Sequence, residues 1–577
     1  DCLLIGEKLN KDIMGTQSLQ DDEVLGQIVG GSLSRGLDVR LSSPGIAEKA
    51  KVGTFVTIQG RGHKFFGIIT DLSLDSVDAR FPSFASSMEP SISEILVGTS
   101  TFVLARVTPM LSVPISGLTS PEPAKSLPTH FSITRRASNE DVQSIFGTED
   151  DRHIWIGSPL DMESTKVCLD LHELVKRSNG VFGKSGSGKS FLTRILLAGI
   201  LQRDVATNLV FDMHNEYGWQ ARSENGYHVK GLKQLFNSKV SVFTLDPSSS
   251  EKRKVSVDHQ VVISPSEILP DDIELLAPLL GITSFGVDLC HQLYKQFADS
   301  WFSDFLEIGE QKRSSRDHEG YDLQIEETSD PSRETFNSIN DLARFFRQSS
   351  STMEALYRRL QHLNSFDFVK KGSQSPTIKA LMEQLKSGRH VVFEFGKWGS
   401  DLTAYLLVAN LLTRKIHQEY KTLTEQAIYL QNAPPKPLVI TVEEAHRFLS
   451  KEIAGKTIFG TIAREMRKYN VTLLVVDQRP SGIDDEVLSQ IGTKITCQLD
   501  NERDLDALLA GAAGTREMKS VLSRLESNQQ ALLFGHAVPM PVVLRIREYG
   551  TEFYDEISSA SSKTTAELES DRRSLFG

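Results

Sequence analysis

Residues 183–190 read GKSGSGKS and match the phosphate-loop pattern G-x-x-x-x-G-K-[ST] at every fixed position. Glycines allow successive N–H groups to face one concavity, and a following helix adds its positive end. Lys189 would reach the β- and γ-phosphates of ATP, and the Ser190 hydroxyl would bind Mg²⁺. An apolar segment precedes the loop and a helical pattern follows it, which disfavours a mere glycine-rich turn at a helix start. The predicted nucleotide-binding residues of the loop are Gly183, Ser185, Gly186, Ser187, Gly188, Lys189 and Ser190.

Two adjacent carboxylates follow another apolar run. Residues 438–446 read LVITVEEAH, which predicts a strand with Glu443 and Glu444 at its carboxyl end. Ligands bind at that end of the strands in open parallel sheets. We expect Glu443 to organise the Mg²⁺ shell and Glu444 to polarise the attacking water. Taken alone, the pair would also fit a helix N-terminus that favours acidic residues.

A third apolar run, residues 471–477, leads into Gln478. A glutamine at such a strand end could sense the γ-phosphate or the attacking water, although a polar strand end that faces solvent is the alternative. Arg464, Arg467 and Lys468 precede this run. Such charges usually form a solvated helix face. The functional alternative is that one arginine crosses a subunit boundary and neutralises charge in the transition state.

The elements that position these residues form an α/β fold. Apolar runs of strand length alternate with helical stretches, which indicates a parallel sheet covered on both faces. We therefore predict a RecA-like P-loop NTPase core with a parallel-rich sheet. The predicted strands lie at 208–214, 240–246, 390–396, 437–446 and 471–480, with late strands at 493–499, 530–536 and 542–547.

Other segments have different patterns. Short β-type runs at 52–58, 64–70 and 94–107, with a hairpin at 59–64, predict a small amino-terminal β-barrel. Helical periodicity between the two parts of the core predicts a helical insertion with one apolar face, formed by Met353, Leu356, Tyr357, Leu360 and Leu363. The predicted domains are a barrel (1–110), a linker (111–165), the core (166–264 and 387–550), the insertion (265–386, with a mobile loop at 309–334) and a carboxy-terminal tail (551–577).

Composition limits the class of protein. With 39% hydrophobic residues in 577, the chain can bury a sizeable core. The net charge of −11 excludes a globally basic surface, so a nucleic-acid site would be a local patch or an inner channel. The four cysteines are far apart, which argues against a disulfide framework. No run is apolar enough for a membrane span. We expect a soluble, cytoplasmic protein without a membrane partner.

Together, these motifs resemble the HerA family of hexameric ATPases, within the wider HerA/FtsK group of motor ATPases. VFGKSGSGKS resembles the family's phosphate loop, and TVEEAH resembles its Walker B strand. VFDMHNEYG at 210–218 is similar to the family's D-P-H-G-E-Y stretch, with Met213 and Asn215 as departures. Residues 463–495 follow its R-E-G-R-K-Y, S-Q-R-P-S, I-D and L-S-Q stretch, with Met466 in place of glycine. QQALLFGHAVPMPVVLRIR resembles its closing strands.

The resemblance implies a six-membered ring that binds ATP between subunits and passes double-stranded DNA through its channel. Carried onto this sequence, the ATP site includes Lys189, Ser190, Glu443, Glu444 and Gln478, with Asp212 as a further nucleotide-binding residue. Arg177, twelve residues before Lys189, matches an arginine that acts across the subunit interface. Arg464 and Arg467 match the family's arginine stretch.

Two principal functions follow from this reading. The first is an ATP-driven translocase or helicase on double-stranded DNA that works with a nuclease at DNA ends, in repair or antiphage defence. The second is an ATPase ring that serves mainly as an assembly platform and activates an effector enzyme, a nuclease or a sirtuin-like subunit. A secretion ATPase of the conjugation type is a third, less favoured reading. Lys451 and Lys456 are candidates for contacts with DNA, with solvated surface lysines as the alternative.

Overall fold

The computed structural model describes residues 24–76, 101–115, 121–222, 228–314, 336–370, 376–511, 515–526 and 529–561. The chain folds as two units. The first unit comprises Asp1–Gly199, Val476–Ser481 and Leu488–Tyr549, and the second comprises Ile200–Val475, Gly482–Val487 and Gly550–Gly577. The chain therefore passes between the units several times. In the described part of the chain, no helix combines the length and the apolar character that a membrane span requires.

The strands are, in chain order, β1 (Val24–Ser32), β2 (Gly36–Leu41), β3 (Phe55–Gln59), β4 (His63–Ser76), β5 (Thr101–Pro114), β6 (Glu122–Pro123), β7 (Ile133–Arg136), β8 (His153–Pro159), β9 (Val167–Asp170), β10 (Asn179–Phe182), β11 (Thr207–Asp212), β12 (Ala221–Arg222), β13 (His228–Val229), β14 (Val240–Thr244), β15 (His259–Gln260), β16 (His390–Glu394), β17 (Leu438–Glu443), β18 (Val471–Asp477), β19 (Thr493–Cys497), β20 (Gln530–Gly535) and β21 (Val542–Ile546).

The α-helices are α1 (Pro44–Lys49), α2 (Asn139–Phe146), α3 (Leu171–Val175), α4 (Lys189–Gln202), α5 (Leu232–Phe236), α6 (Pro247–Lys252), α7 (Pro270–Leu280), α8 (Ser284–Phe297), α9 (Trp301–Ser314), α10 (Ile339–Phe345), α11 (Ser350–Asn364), α12 (Pro376–Lys386), α13 (Leu402–Leu430), α14 (His446–Leu449), α15 (Ile458–Glu465), α16 (Asp485–Gln490), α17 (Glu502–Leu509), α18 (Thr515–Leu522) and α19 (Thr551–Ser561).

The first unit begins with a closed antiparallel barrel, as the short β-type runs predict. Its strand order is β2-β1-β7-β3-β4-β5, and β5 pairs back with β2 to close the ring. The expected hairpin is confirmed, since Gln59 pairs with Lys64 where β3 turns into β4. β5 begins at Thr101, and residues 94–100 of the predicted strand lie outside the described residues. The apolar interior includes Leu25, Ile28, Val39, Val56, Ile58, Phe65, Ile69 and Val107.

The segment expected to be a linker, 111–165, contains the strand that completes the barrel. β7 lies between β1 and β3, and Thr134 of β7 pairs with Gly26 on one side and Ile58 on the other. α2 and β8 follow within the same segment. β7 spans only four residues, reading ITRR, and has no alternation of apolar and polar side chains. The prediction that 111–165 is only a linker is therefore wrong. β7 is a strand because it pairs with two neighbouring strands, and the sequence pattern alone does not indicate it.

The remaining strands of the first unit lie next to one another in the large sheet, in the order β10-β19-β20-β21-β8-β9. β10 runs parallel to β19, and the pairs from β19 onward are antiparallel. The late strands predicted near residues 493, 530 and 542 are confirmed as β19, β20 and β21. Cys168, Cys290 and Cys497 are buried and form no disulfide among the described residues, and Cys2 lies outside them.

The second unit holds the parallel strands of the core. β14, β16, β11 and β17 are neighbours in that order, and each adjacent pair is parallel. Every residue of these four strands is buried, which agrees with the near-continuous apolar runs that predicted them. Parallel pairing brings the carboxyl ends of β16, β11 and β17 to the same edge, where Glu394, Asp212 and Glu443 end their strands.

Helices α7 to α12 lie within 265–386, the segment expected to be a helical insertion. The apolar face expected on α11 is confirmed, because all five of its predicted residues are buried. A partly buried ion pair joins α7 to the long helix α13, where Arg414 contacts the buried Asp272 at 2.7 Å. Of the loop expected at 309–334, residues 309–314 continue α9 and the rest lies outside the described residues. Of the expected tail, Thr551–Ser561 is helical, and residues 562–577 also lie outside the description.

Candidate functional site

The loop between β10 and α4 has the backbone that a phosphate-binding loop needs. The φ angle is +153° at Gly183, +77° at Gly186 and +94° at Gly188. Side chains rarely adopt such values. A Cβ on Gly183 would also lie 2.6 Å from the Ser187 Oγ and 2.8 Å from the Cys497 Cβ. Glycine at 183 is therefore required by space as well as by conformation, and the N–H groups of the 14-residue helix α4 follow directly on the loop.

Hydrogen bonds within the loop hold its two lysines differently. The Lys189 ammonium donates to the main-chain oxygen of Lys184 at 2.6 Å, and the Ser187 hydroxyl donates to the same oxygen at 2.8 Å. The Lys184 ammonium instead lies 3.1 Å from an Asp500 carboxylate oxygen. An anionic phosphate attracts an ammonium more strongly than a neutral carbonyl does. The loop can therefore exchange the bond made by Lys189 for one to a phosphate.

The remaining loop residues are open to a ligand. Ser185 and Gly186 are exposed at the tip, and Ser190 is partly buried in the first turn of α4. Gln478 lies close to the loop, as predicted. The Gly183 N–H donates to the main-chain oxygen of Asp477 at 3.3 Å, and Gln478 is the next residue. The first unit thus brings the phosphate loop and Gln478 together.

Arg177 precedes β10 and is half-buried. Its aliphatic stem packs against Gly492, where an added Cβ would meet the Arg177 Cβ and Cδ at 2.8 Å. The Arg177 Nε is buried and has no hydrogen-bond partner in the described part of the chain. The side chain is therefore anchored along its stem.

In the second unit, Glu443 is held by two tyrosines. The Tyr217 hydroxyl donates to the Glu443 Oε1 at 2.9 Å, and the Tyr405 hydroxyl donates to the Glu443 main-chain oxygen at 3.0 Å. The Asp212 carboxylate accepts from the N–H groups of Glu216, Tyr217 and Gly218 at 2.7, 2.8 and 3.2 Å. The Glu443 Oε2 is buried without a partner among the described residues. The structure therefore brings Asp212 and Glu443 together through Tyr217.

Burial controls the ionisation of these two carboxylates. Burial, followed by the charges of Asp212 and Glu216, raises the pKa of Glu443 to about 8. Burial and the charge of Glu394 raise the pKa of Asp212 to about 7, although three main-chain N–H groups oppose the shift. A nearby cation would lower both pKa values. Burial and neighbouring carboxylates therefore favour the protonated form of Glu443 when no cation is bound.

Glu394 and Arg253 were not predicted from the sequence. Glu394 ends β16 directly beside Asp212 of β11 and is completely buried. Arg253 forms an ion pair with the Glu394 Oε2. The available signal was weak: Glu394 is a single acidic residue at the end of an apolar run, and Arg253 lies in a polar stretch far from it in sequence. Tyr217 was noted in the family-like stretch but was not predicted as a site residue.

Glu444 has an environment unlike that of Glu443. It follows the last residue of β17, its side chain is 20% exposed, and its φ angle is +49°. A left-handed conformation costs a residue with a side chain about 1–3 kcal/mol, and such strain is concentrated at functional sites. His446 lies 3.7 Å from the Glu444 carboxylate. A partly exposed carboxylate beside a buried one suits the separate roles predicted for the pair.

Arg464 is paired within the second unit. Its guanidinium lies 3.6 Å from Asp484 and 3.2 Å from Glu486, and its side chain is 29% exposed. Arg467 belongs to a short 3₁₀ turn, Met466–Tyr469, and its side chain lies outside the described residues. The ion pairs of Arg464 therefore hold it to Asp484 and Glu486.

The two candidate DNA-contacting lysines are exposed and paired with carboxylates. Lys451 lies 2.7 Å from Asp485, and Lys456 lies 3.0 Å from Glu274. These contacts agree with the alternative that both are solvated surface lysines.

Comparison with known proteins shows two families that the chain resembles. A family model described as "Helicase HerA, central domain" matches residues 154–416, and one described as "HAS barrel domain" matches residues 25–108. A Pyrococcus furiosus protein named "DNA double-strand break repair helicase HerA" is 25% identical to this chain over 426 residues, covering 72% of each protein. The protein of that name from Sulfurisphaera tokodaii is 22% identical over 541 residues, covering 91% of this chain and 93% of its own.

Among solved structures, the bacterial conjugative coupling protein TrwBdeltaN70 matches 72% of this chain and 93% of its own, with 11% identity and a TM-score of 0.43. A score this low carries no inference about function. The match to the HerA central domain and the geometry of the phosphate loop agree with each other. The chain is a P-loop ATPase.

Proposed function

We propose that this chain is an ATP-hydrolysing motor that moves along double-stranded DNA. The phosphate loop is the main support for the proposal. The Lys189 ammonium donates to a main-chain oxygen that a phosphate can replace, and the chain matches the HerA central domain. Curated relatives over most of its length are named as DNA double-strand break repair helicases, which supports DNA as the track. Both ATP and DNA are available in the cytoplasm, where we place the protein.

The proposal assigns a role to each predicted site residue. The glycines, Ser185 and Ser187 shape the loop, Lys189 holds the phosphates, and Ser190 binds the Mg²⁺ that accompanies ATP. Mg²⁺ bound with ATP would neutralise charge on the phosphates. Glu443 is suited to the outer coordination shell of the Mg²⁺, because its Oε2 is buried and has no partner in the described part of the chain.

The other roles concern the attacking water and the nucleotide. Glu444 accepts the proton of the water, because it is the more accessible carboxylate of the pair. Gln478 orients that water or senses the γ-phosphate beside Gly183. Asp212 supports the nucleotide site through the turn that it organises.

We further propose that the motor works as a ring of six subunits. One of Arg177, Arg464 and Arg467 would then act on the nucleotide of a neighbouring subunit, and Arg464 would have to exchange its present carboxylate partners. The ATPase core would comprise 166–264 and 387–550, with the barrel (1–110) and the insertion (265–386) as separate domains. A nuclease or another defence effector is the proposed partner.

DNA-dependent hydrolysis tests the proposal. Duplexes of unrelated sequence should stimulate phosphate release to similar extents, because a channel contacts phosphates rather than base edges. Stimulation should fall steeply with salt, since binding releases counterions. Because the net charge of the chain is −11, its outer surface attracts duplex DNA weakly. Binding should therefore depend on local basic contacts. The Lys189→Ala protein is the matched control for contaminating ATPases.

The outcomes separate the two functions under consideration. Stimulation by duplex, together with movement along it, supports the motor. If duplex neither binds nor stimulates at low salt, even with the nuclease or effector encoded beside this chain, the motor proposal fails. ATP-dependent assembly with that partner would then support the platform function.

A further inference from the structure

Tyr217 lies behind the carboxylate that the proposed function assigns to the magnesium shell. We propose that Tyr217 is a positioning residue for Glu443: its hydroxyl fixes one carboxylate oxygen and leaves the other available to the shell of the bound nucleotide. This inference rests on the proposed function, since it deepens the role of Glu443 in it.

The hydrogen bonds around Glu443 support this division between its two oxygens. The Tyr217 hydroxyl lies 2.9 Å from Oε1, and both side chains are buried. Oε2 is equally buried but has no partner within the described residues. Leaving a buried carboxylate oxygen without a partner costs free energy. A partner supplied by the bound nucleotide and its Mg²⁺ would remove that cost. The arrangement therefore suits a carboxylate whose second oxygen gains its partner when the nucleotide binds.

Tyr217 is itself held at the main chain. The Asp212 carboxylate accepts from the N–H groups of three successive residues, 216 to 218, so the turn that carries Tyr217 is fixed to the end of β11. The Tyr217 side chain is completely buried, which restricts rotation of its ring. The hydroxyl therefore has a defined position relative to β17, where Glu443 lies.

Glu394 and Arg253 support the same turn from the other side. A Cβ added to Gly218 would lie 2.6 Å from the Glu394 Oε1, so the turn packs directly against that carboxylate. Arg253 forms an ion pair with Glu394, although its side chain remains 29% exposed. The guanidinium thereby offsets charge in a group of buried carboxylates. Arg253 should influence Glu443 through the turn rather than by contact.

The decisive variant removes one atom. Tyr217→Phe keeps the ring but frees the Glu443 Oε1, so the carboxylate is no longer fixed. Loss of a residue that orients a metal-binding group typically costs about 10–100-fold in metal affinity or activity. We expect the Mg²⁺ concentration for half-maximal binding of a fluorescent ATP analogue to rise about tenfold. The kcat should fall by a similar factor, with little change in the KM for ATP at saturating Mg²⁺.

Tyr405→Phe is the matched control. The Tyr405 hydroxyl donates to the same residue at 3.0 Å, but to its main-chain oxygen, and Tyr405 is just as buried. This variant therefore loses a similar buried hydrogen bond without freeing the carboxylate. We expect it to lower the thermal midpoint about as much as Tyr217→Phe while leaving the Mg²⁺ requirement near that of the wild type.

Gly218→Ala provides a second test should Tyr217→Phe fold poorly, because its added Cβ would lie 2.6 Å from the Glu394 Oε1 and displace the turn that carries Tyr217 without changing any charge. It should raise the Mg²⁺ requirement in the same direction. Equal Mg²⁺ requirements in Tyr217→Phe and Tyr405→Phe would overturn the inference, as would an unchanged requirement in Gly218→Ala when Tyr217→Phe is unfolded. A wild-type chain that binds but never hydrolyses ATP would instead overturn the proposed function, and the binding measurements would still decide the inference.

Discussion

Lys189 donates to the main-chain oxygen of Lys184 across 2.6 Å, so the lysine assigned to the phosphates closes the loop that contains it. The Lys184 N–H donates to the Gln498 oxygen at 2.9 Å, which ties the loop to the end of β19. The Lys184 ammonium is balanced by Asp500. The two lysines of the loop therefore have different partners. Lys184 is paired with a carboxylate, whereas Lys189 is bonded to a neutral oxygen that a phosphate can replace.

We expect Lys189→Ala to weaken ATP binding by roughly ten- to a hundredfold, because a hydrogen bond to a charged group is worth about 1.5–3 kcal/mol. Phosphate release should fall with binding. Lys184→Ala is the control, since it removes an ammonium from the same loop without removing the one assigned to the phosphates, and its effect should be much smaller. Titration with a fluorescent ATP analogue measures both variants. Similar losses in the two would contradict the role of Lys189.

Glu444→Gln should separate binding from hydrolysis. Glutamine keeps the size and most of the hydrogen bonding of glutamate but cannot accept the proton of the attacking water. Because general base catalysis contributes roughly 10²–10⁴-fold, phosphate release should fall by about 10² or more while ATP stays bound. The measurements are phosphate release and the amount of uncleaved ATP retained. Glu452→Gln, a nearby exposed substitution, should resemble the wild type; near-normal release by Glu444→Gln would remove the role assigned to it.

Local sequence predicted the parts of the site that depend on neighbouring residues. The phosphate loop, the pair at 443–444 and Gln478 each adjoin an apolar strand, and the structure places them at strand ends. Glu394 could not be predicted in the same way, because its position beside Asp212 follows from the order of β16, β11 and β17, which are far apart in sequence.

The same reason explains the other differences. β7 has only four residues and becomes a strand through its pairing with β1 and β3. Arg464 is one of three arginines considered for a role across a subunit interface. Its ion pairs with Asp484 and Glu486 could not be predicted, because they depend on the path of the chain after β18. Periodicity predicted elements well, whereas contacts between distant elements required the fold.

His390 should make the folded chain sensitive to acid. Burial lowers the pKa of His390 from 6.5 to about 3, and its Nδ1 accepts from the Asn208 N–H at 3.0 Å. Below pH 6.5, His390 becomes protonated in the unfolded chain but stays neutral in the folded chain. His390 therefore does not lower the free energy of unfolding above that pH. As the pH falls toward 3, the free energy of unfolding decreases by up to about 1.4 kcal/mol per pH unit.

A comparison of thermal midpoints at pH 7.5 and pH 5 tests this expectation. His390→Gln lacks the titrating group, so it should lose less stability than the wild type between these values, although it is less stable at pH 7.5. His130→Gln, at an exposed position, should keep the dependence of the wild type. An equal loss in His390→Gln and the wild type would show that other groups control the acid response.

Mixing of subunits should show whether an arginine acts across a subunit boundary. Arg177 is half-buried with an unpaired Nε among the described residues, and Arg464 is partly exposed, so both can be tested by alanine substitution alongside Arg467. An arginine supplied by a neighbour is worth roughly 10³-fold or more in rate in other P-loop enzymes. Each arginine-to-alanine chain that matters should therefore be nearly inactive alone.

Adding Lys189→Ala chains, which keep their arginines, should restore activity, because some sites then combine an intact phosphate loop with an arginine from the neighbour. The matched control adds chains that carry both Lys189→Ala and the arginine substitution, from which no complete site can form. Rescue in the first mixture but not in the second identifies the arginine that acts in trans. Absence of rescue for all three, in assemblies verified to be mixed, would mean that these arginines act within their own subunit or only support the fold.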